Sequence, residues 1–172
     1  MVSDPRPDVF SVVASVIDPE LPVLTLGDLG VIRAVEIVGG PGEDCVVVTI
    51  TPTYPGCPAH EVIRADLRAS LVKAGYPRVR VRTVLSPAWS TDWISEQGRR
   101  KLAEAGIAPP GQIGACPRGT VPLTLAPHPL DVRCPRCDEP RTEELSAFGP
   151  TPCTALRRCS SCREPFEYLR ER

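Results

Sequence analysis

Two Cys-x-x-Cys pairs, Cys134-Pro-Arg-Cys137 and Cys159-Ser-Ser-Cys162, stand 21 residues apart near the end of this 172-residue chain. The short loop of each pair turns two sulfurs toward one point, and two such loops supply the four ligands of a closed tetrahedral site. A stretch of about 40 residues cannot bury enough apolar surface to fold alone. A bound metal then supplies the missing folding free energy, on the order of 10 kcal/mol for structural zinc at neutral pH. Four thiolates suit Zn²⁺ first; rubredoxin-like iron takes the same ligands, and an iron–sulfur cluster is a third alternative. From Asp131 to Arg172 there are eight arginines, no lysines and eight acidic residues. That zero net charge argues against a phosphate-binding face and for a structural or protein-docking ribbon.

The rest of the chain divides around its prolines. Of 21 prolines, Pro109, Pro110, Pro117, Pro122, Pro127 and Pro129 fall in one stretch that can continue neither a helix nor a central strand. This marks a linker over 109–130, between an N-terminal body over 1–108 and the ribbon over 131–172. Eight cysteines in a chain whose Met1–Val12 start lacks the basic and apolar regions of a signal peptide point to metal or redox chemistry in a reducing compartment, the cytoplasm. No apolar run reaches the roughly 18 residues of a membrane span. A formal net charge of −1 gives no electrostatic reason to expect nucleic acid or an anionic membrane as partner.

Within the body, Val9, Phe10, Val12, Val13, Val16 and Ile17 recur at helical spacing, and Asp18-Pro19 ends that helix. Val31–Val38 and Cys45–Thr51 are β-branched runs joined by Gly39-Gly40-Pro41-Gly42, a hairpin signal. A second helix starts just after Cys57, with Pro58 in its first position, Val62, Ile63, Leu67 and Leu71 on one face and Gly75 at its end. Val79, Val81 and Leu85 form a third strand, with Arg78, Arg80 and Arg82 on its other face. A last helix spans Thr91–Ala105 and stops at Gly106. The α-β-β-α-β-α order predicts an α/β fold, a small mixed-sheet sandwich followed by the proline-rich linker and a C-terminal four-cysteine zinc ribbon.

Cys57 is the sulfur that composition alone does not explain. It follows a strand and a Pro/Gly turn in Thr51-Pro-Thr-Tyr-Pro-Gly-Cys57-Pro-Ala-His60. The expected helix start would favour its thiolate and so a reactive or metal-binding role, against the alternative of a thiol that only packs. His60 is one turn further on, as a second ligand or a solvated surface residue. Asp18, Glu20 and Asp28 gather after the first helix, either as oxygen ligands or as caps and turn formers. Cys45 alternates with apolar strand residues and is expected in the core, Cys116 is expected exposed in the linker, and Cys153 is expected as a small buried residue of the ribbon. The chain has no Walker A loop, no dinucleotide fingerprint and no Glu-x-x-His pair of the kind a di-iron bundle uses.

Asp18-Pro19-Glu20, Leu26-Gly-Asp28-Leu-Gly30-Val31 and Thr51-Pro-Thr-Tyr54-Pro-Gly56-Cys57-Pro58 together resemble the signature of the iron–sulfur assembly domain family that includes the SufT-like maturation factors. Cys134-Pro-Arg-Cys137, Ser146-Ala-Phe-Gly149 and Cys159-Ser-Ser-Cys162-Arg-Glu-Pro-Phe166 resemble the C-terminal ribbon of its PaaD (PaaJ) branch, which accompanies the bacterial phenylacetyl-CoA ring epoxidase. The resemblance implies a non-catalytic accessory part in aerobic phenylacetate degradation, assisting insertion of an iron–sulfur cluster or iron into the reductase or oxygenase component. In that picture Cys57 holds the transferred metal or transient cluster, and Asp18, Glu20 and Asp28 orient that site or the client. Cys134, Cys137, Cys159 and Cys162 hold structural zinc. The implied partners are the oxygenase and reductase components and the iron–sulfur assembly machinery, while charge and hydropathy point to neither nucleic acid nor membrane; because one cysteine is too few for a cluster, a homodimer in which paired Cys57 thiolates share one is a further expectation. Two alternatives stay open: a purely structural subunit of the epoxidase, and a thiol oxidoreductase using Cys57.

Overall fold

The computed structural model describes residues 7–39, 44–112 and 132–172. Gly40–Gly42 of the expected hairpin loop, Cys116 and residues 113–130 of the proline-rich stretch lie outside the described residues. The chain divides into two compact units, one up to Lys101 and one from Leu102 onward.

The first unit opens with α1 (Val9–Ala14), capped by Asp8, whose carboxylate accepts from the Ser11 amide at 2.8 Å. Such a cap is worth about 1 kcal/mol. The helix ends before the expected Asp18-Pro19 stop because later residues take over its backbone. The Val16 carbonyl accepts from the Leu26 amide at 2.8 Å, and the Asp18 amide donates to the Leu24 carbonyl at 3.0 Å. Ile17, expected on the apolar face, instead bridges Thr25 and is 56% exposed. A single-turn helix that the apolar pattern does not announce follows, α2 (Leu26–Leu29), closed by a reciprocal capping box between Thr25 and Asp28.

β1 (Ile32–Val38) pairs antiparallel with β2 (Cys45–Ile50), with a register shift between Ile32 and Ala34. α3 (His60–Lys73) then crosses over to β3 (Val79–Thr83), which pairs parallel to β2 and gives a mixed sheet of order β1-β2-β3. Val46, Val48 and Ile50 are buried with Leu67 and Leu71 of α3. Each such side chain contributes roughly 1.5–3 kcal/mol of burial. Cys45 lies on the opposite face from Val46 and is only half-buried, so it is not the core residue its alternation predicts. The expected last helix is broken in two. A 3-10 turn at Thr91–Trp93 is capped by Ser90, and α4 (Glu96–Glu104) restarts at Ser95, whose hydroxyl accepts from the Gly98 amide at 2.9 Å.

The second unit is a four-stranded sheet of β4 (Ile107–Ala108), β5 (Thr142–Ser146), β6 (Thr154–Cys159) and β7 (Pro165–Leu169) in the order β4-β7-β6-β5. β4, from residues placed by sequence at the end of the body, pairs parallel to β7; the other pairings are antiparallel. Its core is small: Ala108, Val132, Cys134, Ala155, Cys159, Phe166 and Tyr168. Two of its seven members are cysteines of the knuckles, so the core and the sulfur site are one structure.

Candidate metal-handling site

Cys57 is placed by the loop between β2 and α3. The Thr51 amide ties the end of β2 to the Val31 carbonyl at 2.9 Å, and the chain then turns through Tyr54, whose carbonyl accepts from the Cys57 amide at 3.3 Å. Gly56 has φ +82°, the left-handed conformation that glycine adopts without strain and that this turn requires. The Cys57 carbonyl accepts from the His60 amide at 3.2 Å, and α3 begins at His60, two residues beyond the expected start at Pro58. Cys57 is therefore one tight turn outside the helix rather than at its first amides.

The half-buried thiol lies between two spaces. Inward is a cavity of about 20 Å³, room for roughly one water, lined by Asp18, Val31, Ile50, Thr51, Pro52, Thr53, His60 and Ile63 as well as Cys57. Outward is a cleft of about 150 Å³ lined by Pro52, Gly56, Cys57, His60, Thr83 and Leu85. Burial raises the pKa of the Cys57 thiol, and the Glu20 and Asp18 carboxylates add to the effect, outweighing the Ala59 amide and the Tyr54 hydroxyl. This reverses the expectation that the helix start would favour the thiolate: desolvation and two nearby negative charges dominate.

Asp18 and Glu20 are thus brought to Cys57, and Asp28 is not. The Asp18 Oδ1 accepts from the Glu20 and Leu21 amides at 2.9 and 2.8 Å. Burial raises its pKa despite those two bonds. Asp28 instead closes the α2 capping box, with its Oδ2 at 3.0 Å from the Thr25 amide and 2.6 Å from Lys101 Nζ. Although burial opposes it, the Lys101 ammonium and the Thr25 donors hold the Asp28 carboxyl below its ordinary range. His60 lines both spaces but already has partners: Nε2 is 2.6 Å from Thr83 Oγ1 and Nδ1 is 3.4 Å from Glu61.

Two further residues of the site escaped sequence reading. Thr51 is 1% exposed and its hydroxyl, on the wall of the inner cavity, has no hydrogen-bond partner among the described residues. It sits inside the quoted motif, but only burial singles it out. Thr83 reaches the outer cleft because β3 pairs parallel to β2 with Ile50 opposite Thr83, a register that sequence does not reveal.

In the ribbon, Cys134, Cys137, Cys159 and Cys162 bring their sulfurs within 4.8 Å of one another, and among the described residues no other group of three or more His, Cys, Asp or Glu does so. The Cys134–Cys162 and Cys137–Cys159 separations are 3.8 and 3.5 Å. A Zn–S bond near 2.3 Å demands a tetrahedral edge of about 3.8 Å, so the quartet fits zinc. Amides of Ser161 and Cys162 point at the Cys159 sulfur at 3.3 and 3.4 Å. Burial raises the Cys159 thiol, but these donors and the neighbouring sulfurs bring it down to about 7; at Cys137 the Glu139 amide is outweighed by the neighbouring sulfurs, which push that thiol up to about 12. Cys153 is buried at 6% exposure and stands outside the quartet, in contact with the Thr151 hydroxyl at 3.0 Å.

Two family models match the chain in different places. Residues 6–85 match the family described as iron–sulfur cluster assembly protein, and residues 119–170 match the PaaD zinc beta ribbon domain. The chain is 41% identical over 95% of its length to a putative subunit of 1,2-phenylacetyl-CoA epoxidase from Escherichia coli, covering 91% of that protein. It is 36% identical over 55% of its length to an Fe-S protein maturation auxiliary factor from Porphyromonas gingivalis, covering 88% of it. A crystal structure of a domain of unknown function from Bacillus anthracis matches 56% of this chain and 90% of its own, at 26% identity and a TM-score of 0.49. The ribbon cysteines form a structural zinc site, and the body carries the domain of iron–sulfur assembly proteins. No helix among the described residues is long and apolar enough to cross a membrane.

Proposed function

Since the chain belongs to the PaaD family of phenylacetyl-CoA epoxidase components, we propose that it is a non-catalytic maturation component acting in the cytoplasm. It assists insertion of an iron–sulfur cluster or iron into the reductase or oxygenase component during aerobic phenylacetate degradation. The unit up to Lys101 is the handling domain, and the unit from Leu102 onward, whose sheet includes Ile107–Ala108, carries the zinc ribbon that docks partners. One observation carries this reading: Cys57 opens on a cleft large enough for a foreign group, yet no set of three metal-ligating side chains surrounds it among the described residues. A single thiolate cannot retain a cluster, which typically takes four protein ligands. Cargo at Cys57 therefore has to share ligands with a donor, a client or a second copy of this chain. That suits a transfer site and not a resident cofactor. Asp18 and Glu20 set the charge around the thiol, Asp28 braces the loop between α1 and β1, and coordination of cargo releases the Cys57 proton.

The test is to express the reductase and oxygenase with and without this chain and to measure iron, acid-labile sulfide and electron transfer. Loss of all three without the chain, reproduced by Cys57→Ser, supports the proposal. Clients that are fully loaded in its absence refute it. A purely structural subunit is the alternative that the closed ribbon favours; it predicts that Cys57→Ser leaves epoxidation intact while Cys134→Ser abolishes assembly. A thiol oxidoreductase is disfavoured because no second cysteine stands within Cys-x-x-Cys reach of Cys57 to resolve a mixed disulfide.

A further inference from the structure

β3 is the last strand of its sheet, paired with β2 on one side only. The Arg78 carbonyl accepts from the Val46 amide and the Val84 amide donates to the Ile50 carbonyl, so the even-numbered backbone groups of this segment face β2. Backbone direction alternates along a strand, so the amides and carbonyls of Val79, Val81 and Thr83 point away from the sheet. Among the described residues no strand meets them. Arg80 and Arg82 share one face of this edge and both are exposed. The strand then runs into the Cys57 cleft, which Thr83 and the 60% exposed Leu85 help to line.

From this we infer that β3 is a docking edge for an extended acidic segment of the client polypeptide. The segment adds as a further strand, sets carboxylates opposite Arg80 and Arg82, and carries its end into the cleft beside Cys57. The inference rests on the transfer reading of Cys57 and names what brings the client there. Main-chain bonds to Val79, Val81 and Thr83 supply pairing, and the arginines supply selection. Edge arginines also guard a sheet against self-association. Both effects have the same origin here, because two copies of this edge would oppose arginine to arginine while an acidic strand meets complementary charge.

The probe is a short synthetic peptide alternating Thr and Glu, added to the full zinc-loaded chain while amide exchange is followed by NMR. The expected result is slowed exchange at Val79, Val81 and Thr83. Affinity is expected to fall roughly tenfold at low salt in the Arg80→Glu/Arg82→Glu variant, which then takes a peptide alternating Thr and Lys instead. Arg82→Glu alone gives an intermediate loss and guards against a folding artefact at Arg80. Binding without protection of those amides, or equal binding of both peptides by both chains, overturns the inference. So does protection already present in the unliganded chain as it dimerises, which would assign the edge to a second copy. Client maturation separates this inference from the reading beneath it. If Cys57→Ser abolishes loading while reversal of both arginines does not, the edge assignment fails alone. If loading is indifferent to Cys57 but the peptide still pairs with β3, the transfer reading fails and the edge stands.

Discussion

Replacing Asp18 by Asn is expected to stabilise the body while impairing delivery. The Asp18 carboxylate is 6% exposed, its hydrogen-bond partners are two backbone amides, and folding raises its pKa through burial. Asn retains an oxygen for the Glu20 and Leu21 amides but loses the charge-assisted part of both bonds, roughly 1 kcal/mol each. Against that loss of about 2 kcal/mol stands the removal of a buried charge, an effective penalty of several kcal/mol, here taken as about 3. The net gain is about 1 kcal/mol at neutral pH. The pH dependence fixes the cause. A carboxyl whose pKa is raised on folding binds more protons folded than unfolded, so the native protein gains stability as pH falls from the raised value toward the unfolded one near 4. The variant has no such group, and its advantage should be present at pH 7 and vanish below about pH 4. Urea unfolding followed by tryptophan fluorescence reports on the body alone, because both tryptophans, Trp89 and Trp93, lie in the first unit. With a slope of about 1–1.5 kcal/mol per molar urea for a unit of this size, the midpoint should rise by somewhat under 1 M. A variant destabilised by a similar amount, with a gap that does not change with pH, would refute the argument by showing the charge to be fully compensated.

Three other outcomes follow from the same geometry. Alkylation of Cys57 by iodoacetamide should reach half its limiting rate above the pH at which an ordinary thiol does, and Asp18→Asn should move that midpoint down, since one of the charges raising it is gone. Chelation of zinc, or Cys159→Ser, should abolish the β signal of the ribbon in circular dichroism and leave the tryptophan transition of the body in place; the quartet supplies two of the seven residues of the ribbon core. Asp28→Asn and Lys101→Met should each destabilise the body, and their double-mutant cycle should give a coupling of about 1 kcal/mol that is lost as pH falls through the lowered Asp28 pKa, because a depressed carboxyl contributes its stability above its unfolded value.

Sequence carried the architecture further than it carried the local chemistry. The β1–β2 pairing and the β2-α3-β3 crossover follow from β-branched runs, a glycine cluster and a helical stripe, all local signals. Places where the reading slipped share one cause, which is tertiary bonding that overrides a local preference. The Leu26 amide takes the Val16 carbonyl and stops α1 early; Ser95 caps a fresh helix and divides the expected Thr91–Ala105 in two. The capping box at Thr25 and Asp28 was legible, as a Thr-x-x-Asp pattern, and would have assigned Asp28 to local structure before any account of the site. Cys57 illustrates the opposite limit. Its position at a strand-to-helix turn could be read, but the sign of its pKa shift depends on Asp18 and Glu20 folding back across the whole β1–β2 hairpin, which no local pattern encodes.

The two sulfur sites differ in the one property that separates keeping a metal from passing it on. The ribbon offers four thiols at tetrahedral spacing with amide donors already aimed at Cys159, so every ligand position is filled from within the chain. Such a site releases metal only by unfolding, which makes it a poor vehicle for delivery. Cys57 offers one sulfur, held protonated by burial and by two carboxylates, at the mouth of a cleft. Cargo bound there competes with a proton and lacks ligands that only another protein can provide. On the proposed reading this poverty of ligands is the working feature: a client presenting several thiolates outcompetes a single one, and the direction of transfer is set by ligand number. Adding ligands is therefore the decisive perturbation. Leu85→Cys, which places a second thiol with Cys57 on the wall of the outer cleft, should raise the metal retained by the isolated chain and lower the iron found in the client. If retention rises and delivery is undiminished, ligand poverty does not set the direction of transfer, and some feature of the client must.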